Sequence, residues 1–247
     1  MKIIKRILFI NRNDLKRYTA YAFFEITLVV IGILIAVMIN DWNESRKERR
    51  VEQVLLTALN KEMAANYAFL TTVIHYQEIS RDASFKLLEI YSSDYKKYKA
   101  SALDSLFGAV QWAWSFEPKV SVLNSIKTAG KLDVIRDENI KAFITSFEES
   151  TKGAQSISLV MRDFMRNQYV PSVSRFVSQR NRVRHLGFSE VADSRFPAAY
   201  PALFNDREVE SHLTYVYVWR KDEVYILKNI QEELKKSMDL MSRAIQQ

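Results

Sequence analysis

A single acidic side chain, Glu25, lies inside the most apolar stretch of the sequence, "YAFFEITLVVIGILIAVMI", residues 21–39. A carboxyl group inside a hydrocarbon layer is costly unless a protein group or the interface compensates for the lost water. At helical spacing Glu25 shares one face with Gly32, Ala36 and Asn40. Small residues four apart let two spans approach closely, and a carboxyl on that seam gains more from a partner than from lipid. The pattern therefore favours self-association through Glu25, Gly32, Ala36 and Asn40.

Two other roles for Glu25 follow from the same position. Because it lies only a few residues into the run, its carboxyl group can reach the cytoplasmic interface or become protonated at modest cost. Alternatively, Glu25 relays ions, as the intramembrane acid does in single-span subunits of ion-driven motors, which combine a short cytoplasmic tail, an acidic span and a periplasmic domain. The shallow position of Glu25 and the lack of a peptidoglycan-binding signature after the span argue against this relay.

The apolar run is long enough to be a transmembrane helix. Its nineteen residues are close to the ~20 that cross a hydrocarbon core of ~30 Å. A helix in a soluble core is rarely this uniformly aliphatic, and the "MINDW" that follows lacks the small residues of a signal-peptide cleavage site. Trp42 after the run, with Tyr18 and Tyr21 at its start, fits the aromatic belts of the two interfaces. The sequence predicts an uncleaved span over residues 21–40.

Basic residues flank this span unequally and suggest its orientation. Residues 1–20 hold six Lys or Arg and one acid, whereas the basic residues after the span alternate with acids. Lys and Arg concentrate on the cytoplasmic side of membrane spans. We therefore expect a basic cytoplasmic segment over residues 1–20 and a domain over residues 41–247 in the periplasm, anchored in the inner membrane by a single pass. With a net charge of +7, the first anionic partner to consider is the lipid bilayer.

Composition and periodicity predict an all-α fold. The chain has 5 Gly and 4 Pro among 247 residues with 48% hydrophobic content, which favours long helices around a sizeable core. No glycine lies between Gly32 and Gly108, so the membrane helix is expected to continue as a stalk helix beyond Ser80. Further helical segments predict an antiparallel bundle in which the stalk packs beside the last helix.

Caps and prolines divide the rest of the chain into elements. "PKVSVLNSIKTAG" is expected to form a helix ending at Gly130, and Asp137 to begin a helix that reaches about Tyr169. Pro171 is expected to interrupt, with one shorter basic helix from there to near Gly187. Asp206 is expected to cap the final helix, which includes "TYVYVW" in spite of its strand propensity.

No motif for catalysis or cofactor binding is recognisable. His75, His185 and His212 are isolated, cysteine is missing from the sequence, and no phosphate loop or nucleophile elbow occurs. We therefore predict no catalytic, cofactor or metal site and no enzymatic activity; an enzyme would need a site formed only in three dimensions. The Trp112 and Trp114 pair is interpreted as core or domain interface before ligand contact.

One basic cluster allows two interpretations. Its members are Arg175, Arg180, Arg182 and Arg184, followed by His185. At the C-terminus of a helix these cations complement the dipole and face solvent. Alternatively, the four arginines contact an anionic surface, either lipid headgroups or an acidic partner. Nucleic acid is not expected as a partner, because aromatic residues for stacking are sparse around the cluster.

The stretch "YAFFEITLVVIGILIAVMINDWNESRK" resembles the N-terminus of a Bacteroidota family of N-terminally anchored single-span membrane proteins, domain of unknown function 6090. Glu25-Ile26, Val29 to Ala36 and Asn40 to Glu44 correspond to the family pattern, whereas Phe24 stands where a glycine is usual. "LNSIKTAGKLDVIRDENIKAFI" and "LFNDREVESHL" are similar to later family segments. The resemblance implies that Glu25 and the Trp42-Asn43-Glu44 edge belong to the family pattern. It implies no activity, cofactor or catalytic residue.

The sequence thus predicts a membrane-anchored helical scaffold or interaction protein that forms homo-oligomers through its transmembrane seam and presents a periplasmic helical domain. The alternative is a single-span subunit of an ion-driven motor or transport complex, paired with a larger membrane protein and using Glu25 as its intramembrane acid. Replacement of Glu25 by Gln separates the two: a broken oligomer favours the first, and an intact oligomer without ion-dependent activity favours the second.

Overall fold

The computed structural model describes residues 12–184 and 186–246, and these residues form helices and connecting loops without any strand. The predicted all-α class is confirmed. The first eleven residues of the predicted basic segment, residues 1–20, lie outside the described residues. The chain divides into two compact units, Met1–Val54 and Leu55–Gln247.

The first helix, α1, runs over Arg12–Tyr91 and contributes residues to both units. No proline and no glycine after Gly32 interrupts it, so each main-chain N–H from the second turn onward has a helical acceptor. The prediction that a helix continues from the apolar run beyond Ser80 is confirmed.

The N-terminal unit exposes its apolar surface. Residues 18–48 of α1 are all exposed, and the large apolar side chains between Tyr18 and Trp42 are 48–74% accessible. One window of α1 reaches a mean hydropathy of 2.7 with none of it buried, so by length and composition this helix can cross a membrane. Soluble proteins rarely expose so large a contiguous apolar patch to water.

The C-terminal unit adds seven α-helices among the described residues. They are α2 (Ala100–Ala109), α3 (Ser121–Thr128), α4 (Glu138–Phe164), α5 (Val170–Ser174), α6 (Gln179–Arg184), α7 (Tyr200–Leu203) and α8 (Arg207–Gln246). Single 3-10 turns cover Tyr95–Lys97 and Lys131–Val134, and a π-helical turn, Met165–Tyr169, joins α4 to α5. The long helices α1, α4 and α8 form the body of the unit.

Local capping signals explain where several helices begin and end. The Asp137 carboxylate accepts hydrogen bonds from the N–H groups of Asn139 at 2.8 Å and Ile140 at 3.2 Å, which caps α4 as predicted. Asp206 accepts from Val209 N–H at 3.0 Å at the start of α8. Gly130 follows α3 with φ 62°, the left-handed conformation that favours glycine.

Two predicted boundaries are wrong. Helix α3 begins at Ser121 and not at Pro118, because residues 112–120 form a non-helical segment. Pro171 does not interrupt the helical path: it is the second residue of α5, directly after the π-helical turn Met165–Tyr169. The basic helix expected from Pro171 to Gly187 is instead two short helices, α5 and α6, separated by residues 175–178.

Helices α1 and α8 lie antiparallel within the C-terminal unit. Asn60 Nδ2 donates to Ser242 Oγ at 3.2 Å, and Gln231 Nε2 donates to Thr71 Oγ1 at 2.8 Å. The two helices therefore run side by side in opposite directions, which confirms the prediction that the stalk packs beside the last helix. Two buried apolar clusters fill the unit. The first includes Leu59, Met63, Phe147 and Leu234, and the second includes Leu87, Phe107, Tyr169 and Leu213.

Candidate functional site

The non-helical residues 112–120, here called the strap, run alongside α1. Asn66 on α1 hydrogen-bonds to the main chain of Lys119, and Gln77, eleven residues further along α1, donates from Nε2 to the carbonyl of Trp114. Eleven helical residues rise ~16 Å, and the strap links the two contacts with the six residues from Trp114 to Lys119.

The helix that follows the strap, α3, is capped by a carboxylate from α1. Helix α3 has no side-chain hydrogen bond from its own cap residue, Val120. Instead Glu62 accepts hydrogen bonds from the N–H groups of Val122 at 2.8 Å and Leu123 at 3.1 Å, and from Ser121 Oγ at 3.0 Å. A negative charge at a helix N-terminus is favourable, so Glu62 caps α3 from a neighbouring helix.

A buried polar network holds the other end of the strap. Arg220 and Glu223 of α8 form an ion pair, and each side chain is only 1% accessible. Glu223 Oε1 also accepts from Ser158 Oγ at 2.6 Å and Gln77 Nε2 at 3.2 Å. Arg220 Nη2 donates to the carbonyl of Trp112 at 2.9 Å. Burial lowers the pKa of Arg220, and the charge of Glu223 opposes that change.

Two tryptophans of the strap contact the ring of one tyrosine of α1. The ring of Tyr76 lies 4.6 Å from Trp112 and 4.9 Å from Trp114, and the latter pair is nearly parallel at 9°. Trp114 remains 38% exposed. Neither indole is fully buried, so Trp114 is not a core residue, and the expectation of a core or domain interface for the pair stays a prediction in its second form.

A groove of about 670 Å³ opens between the strap and α1, and we call it the Trp groove. Its walls include Ala65 and Phe69 of α1 and Trp112, Ala113 and Trp114 of the strap. The volume falls in the range of sites that bind small molecules or peptide side chains. The buried network fixes the carbonyls of Trp112 and Trp114, so the groove is formed before any ligand arrives.

A comparison with family profiles identifies the family to which the chain belongs. The profile of a family of unknown function, DUF6090, matches residues 25–151, more than half of the sequence. The chain belongs to the DUF6090 family. No curated protein and no solved structure matches it. The matched region of DUF6090 includes Glu25, the strap, and Glu62, Asn66 and Gln77 of α1, but not Arg220 or Glu223.

The predicted seam residues of this DUF6090 chain lie on one face of α1. Glu25, Gly32, Ala36 and Asn40 are all exposed, and a Cβ added at Gly32 would meet no atom within 4 Å. Trp42 is also exposed, with the guanidinium of Arg46 5.6 Å from the centre of its ring.

The four arginines predicted to contact an anionic surface do not form one exposed face. Arg182 is fully buried, so the prediction is wrong for this residue. Its Nη2 donates to Ser174 Oγ at 2.5 Å, and burial lowers its pKa. Arg175 pairs with Glu208 and Asp206, Arg184 pairs with Asp193 at 2.7 Å, and Arg180 is exposed. His185 lies outside the described residues.

The histidines have separate surroundings. His75 is exposed on α1, whereas His212 on α8 is half-buried with Nδ1 3.0 Å from Ser172 Oγ. Over residues 12–184 and 186–246, no group of three or more His, Asp or Glu side chains is placed to hold a metal ion.

Sequence reasoning missed the strap contacts. The only signal was the interruption of a regular apolar stripe on α1 by Glu62, Asn66 and Gln77, three polar residues that share one helical face. Nothing local to the strap shows which side chains hold it.

Proposed function

We propose that this chain is a membrane-anchored scaffold or interaction protein that self-associates through its transmembrane helix. The observation that carries the proposal is the exposed part of α1, where a window with a mean hydropathy of 2.7 is not buried by the rest of the chain. A hydrocarbon layer covers such a surface, because burying apolar area stabilises by ~25 cal/mol per Å². The lipid bilayer is then the first partner of the protein.

The residues on one face of this helix support self-association. Glu25 is the single acid among residues 21–39, and it shares a face with Gly32, Ala36 and Asn40. Facing a second copy, the small residues permit close backbone contact, and the carboxyl group and amide gain hydrogen-bond partners that lipid lacks. We propose a homo-oligomer with these four residues at the contact.

The basic residues before the span support an N-terminus in the cytoplasm. In a bacterium with two membranes, residues 41–247 then form a periplasmic domain attached to the inner membrane. The folded helices of the C-terminal unit, with the clamped strap and the Trp groove, support a role in binding partners.

Single-cysteine variants test both parts of the proposal, because the natural sequence has no cysteine. Ala36→Cys places a thiol on the seam, and the matched control Leu34→Cys places one on the opposite face. In oxidised membranes we expect a disulfide-linked dimer from Ala36→Cys only. Equal cross-linking of the two variants, or none from Ala36→Cys, would contradict the seam.

Orientation is tested with a membrane-impermeant maleimide on intact cells. We expect Asn43→Cys to react and Ala20→Cys to react only after the membrane is permeabilised. The reverse pattern would place residues 41–247 in the cytoplasm.

A second candidate is a single-span subunit of an ion-driven complex that uses Glu25. The observation in its favour is an exposed carboxyl group in the otherwise apolar residues 21–39 of α1. Combining Glu25→Gln with Ala36→Cys separates the candidates. Weakened cross-linking supports the scaffold, whereas unchanged cross-linking together with loss of ion-dependent activity supports the ion-driven complex.

A further inference from the structure

The first turns of α1 beyond the apolar run carry their charges on two separate faces. Residues 41–48 and Arg50 are exposed, and all of them belong to the N-terminal unit. At ~100° per helical residue, the acids fall within an arc of ~60° and the exposed bases within an arc of ~100°, and the centres of the two arcs are ~140° apart. The acidic face consists of Asp41, Glu44 and Glu48, and the basic face consists of Arg46, Lys47 and Arg50.

The two arginines of the basic face have no acid beside them on the helix. Side chains three or four residues apart are neighbours on a helix surface, and no acid stands at these spacings from Arg46 or Arg50. Arg49, which lies outside the basic face, pairs with Glu52 at 3.4 Å. In contrast, Arg46, Lys47 and Arg50 form no ion pair with any described residue. The basic face thus has three exposed cations without a counter-charge in the described part of the chain.

The side chain of Arg46 reaches back toward the apolar run. Its guanidinium carbon lies 5.6 Å from the centre of the Trp42 ring, one helical turn nearer to that run. Side chains on a helix lean toward its N-terminus, and on α1 this is the side of the apolar residues. Arg46 itself is ~9 Å beyond Asn40 along the helix, and the headgroup layer on each side of a bilayer is ~5–7 Å thick. Long basic side chains that lean back over this distance meet the headgroups.

We propose that Arg46, Lys47 and Arg50 bind the phosphate groups of anionic phospholipids in the leaflet next to Asn40. A guanidinium pairs with a phosphate group through two parallel hydrogen bonds, and basic residues next to a span are attracted to anionic headgroups. The acidic face repels the same headgroups, so the lipid binds on one side of α1. This inference rests on the proposed insertion of α1 in a membrane, and it holds for either orientation of the span.

A second copy of the chain does not supply the missing counter-charge through the proposed seam. Lys47 and Arg50 lie on the same face of α1 as Gly32 and Ala36. Two parallel copies in contact through this face bring equal charges together, and equal charges repel. An anionic headgroup beside the contact reduces this repulsion. Phospholipid is therefore a better occupant of the basic face than another copy.

The test uses the full chain with Ser45→Cys, which places a fluorescent donor on the side of α1 away from the basic face. The chain is reconstituted in vesicles of phosphatidylcholine and phosphatidylglycerol at a ratio of about four to one. A trace of either lipid carries an acceptor dye on its acyl chain. Energy transfer from the donor then measures how much of each lipid lies beside the helix, and flotation of the vesicles shows that the chain is inserted.

We expect an excess of phosphatidylglycerol over phosphatidylcholine of at least about twofold beside the helix. Arg50→Gln should reduce this excess by at least about half, and the double change with Arg46→Gln should remove it. The matched control is Arg49→Gln, which removes the same charge one residue away and should leave the excess in place. Sodium phosphate should lower the excess no more than sodium chloride of equal ionic strength, because the membrane holds lipid phosphate at a high local concentration.

Three results would overturn the inference. They are equal transfer to both lipids, an equal loss of the excess in Arg49→Gln and Arg50→Gln, and a loss of the excess with sodium phosphate but not with sodium chloride. The second result would indicate general charge attraction, and the third a site for free phosphate. All three leave the membrane anchor and the cross-linking at Ala36→Cys unaffected. A chain that does not float with the vesicles would overturn the anchor and this inference together.

Discussion

Asn66 on α1 pairs with the main chain of Lys119 as a neighbouring strand would. Its Nδ2 donates to the Lys119 carbonyl at 2.8 Å, and its Oδ1 accepts from the Lys119 N–H at 2.8 Å. The Asn66 side chain is almost fully buried, with 1% relative accessibility. A helix thus holds a non-helical segment through its side chains, where a sheet would use main-chain hydrogen bonds.

Asn66→Ala should destabilise the C-terminal unit. The change removes both hydrogen bonds to the main chain of Lys119, each of which contributes ~0.5–1.5 kcal/mol. Urea unfolding of the full chain in micelles, followed by far-UV circular dichroism, measures the loss. Lys61→Ala, an exposed change on the same helix, is the control and should stay within ~0.5 kcal/mol of the natural chain. Equal effects of the two changes would contradict the role of Asn66.

Arg220→Met should be more destabilising than Asn66→Ala. It leaves the Glu223 carboxylate buried without its cation, and breaking a buried ion pair costs ~3–5 kcal/mol. The double change Arg220→Met with Glu223→Gln removes both charges and should recover more than half of the loss. The same unfolding assay gives both values. A double variant no more stable than Arg220→Met would show that the ion pair is not the cause.

Replacing two helical glycines, Gly108 and Gly153, by alanine should change the stability of the protein in opposite directions. A Cβ at Gly108 of α2 would lie 2.5 Å from the main-chain oxygen of Arg182, whereas a Cβ at Gly153 of α4 would meet no atom within 4 Å. Gly108→Ala should therefore destabilise by ~1–3 kcal/mol through forced separation of α2 from α6. Gly153→Ala should stabilise by ~0.5–1 kcal/mol through helix propensity. Thermal unfolding of the two variants compares them directly, and a shift in the same direction would contradict the close contact at Gly108.

His212 should make stability depend on pH. Burial lowers the pKa of its imidazole, with Arg175 lowering it further and Glu208 and Asp206 opposing. The unfolded chain then takes up a proton near pH ~6.5, before the folded chain does. Stability from this group is therefore complete above that pH and falls as the pH decreases toward the lower, folded pKa.

The urea midpoint should accordingly fall between pH 7.5 and pH 5.5, and His212→Gln should reduce this fall. His75→Gln is the matched control, because His75 is exposed, and it should leave the pH dependence unchanged. A fall of the same size in His212→Gln would assign the dependence to other groups.

Local signals in the sequence predict the helices but not the contacts between them. Asp137 and Asp206 cap helices within three residues of themselves, so their roles are visible in the sequence. The α1 helix is equally predictable, because nothing in its sequence stops it. Pro171 led to a wrong helix boundary, because a proline can either end a helix or lie in its first turn.

The candidate site depends on contacts between residues far apart in sequence. Asn66 and Lys119 are 53 residues apart, and Trp112 and Arg220 are 108 residues apart. No periodicity in either segment encodes these pairs. The sequence also does not predict the burial of Arg182, because α2 and Tyr169, which cover it, lie in other parts of the chain. The tryptophan pair was visible in the sequence, but the groove beside it was not.

The separation between Trp112 and Arg220 also has a consequence for biosynthesis. A ribosome makes α1 and the strap well before it reaches α8, so the Trp112 carbonyl leaves the exit tunnel while its guanidinium partner is still untranslated. A nascent chain that stops before Arg220 lacks one of the tethers of the strap, so the strap is fully held only after the last helix has been synthesised.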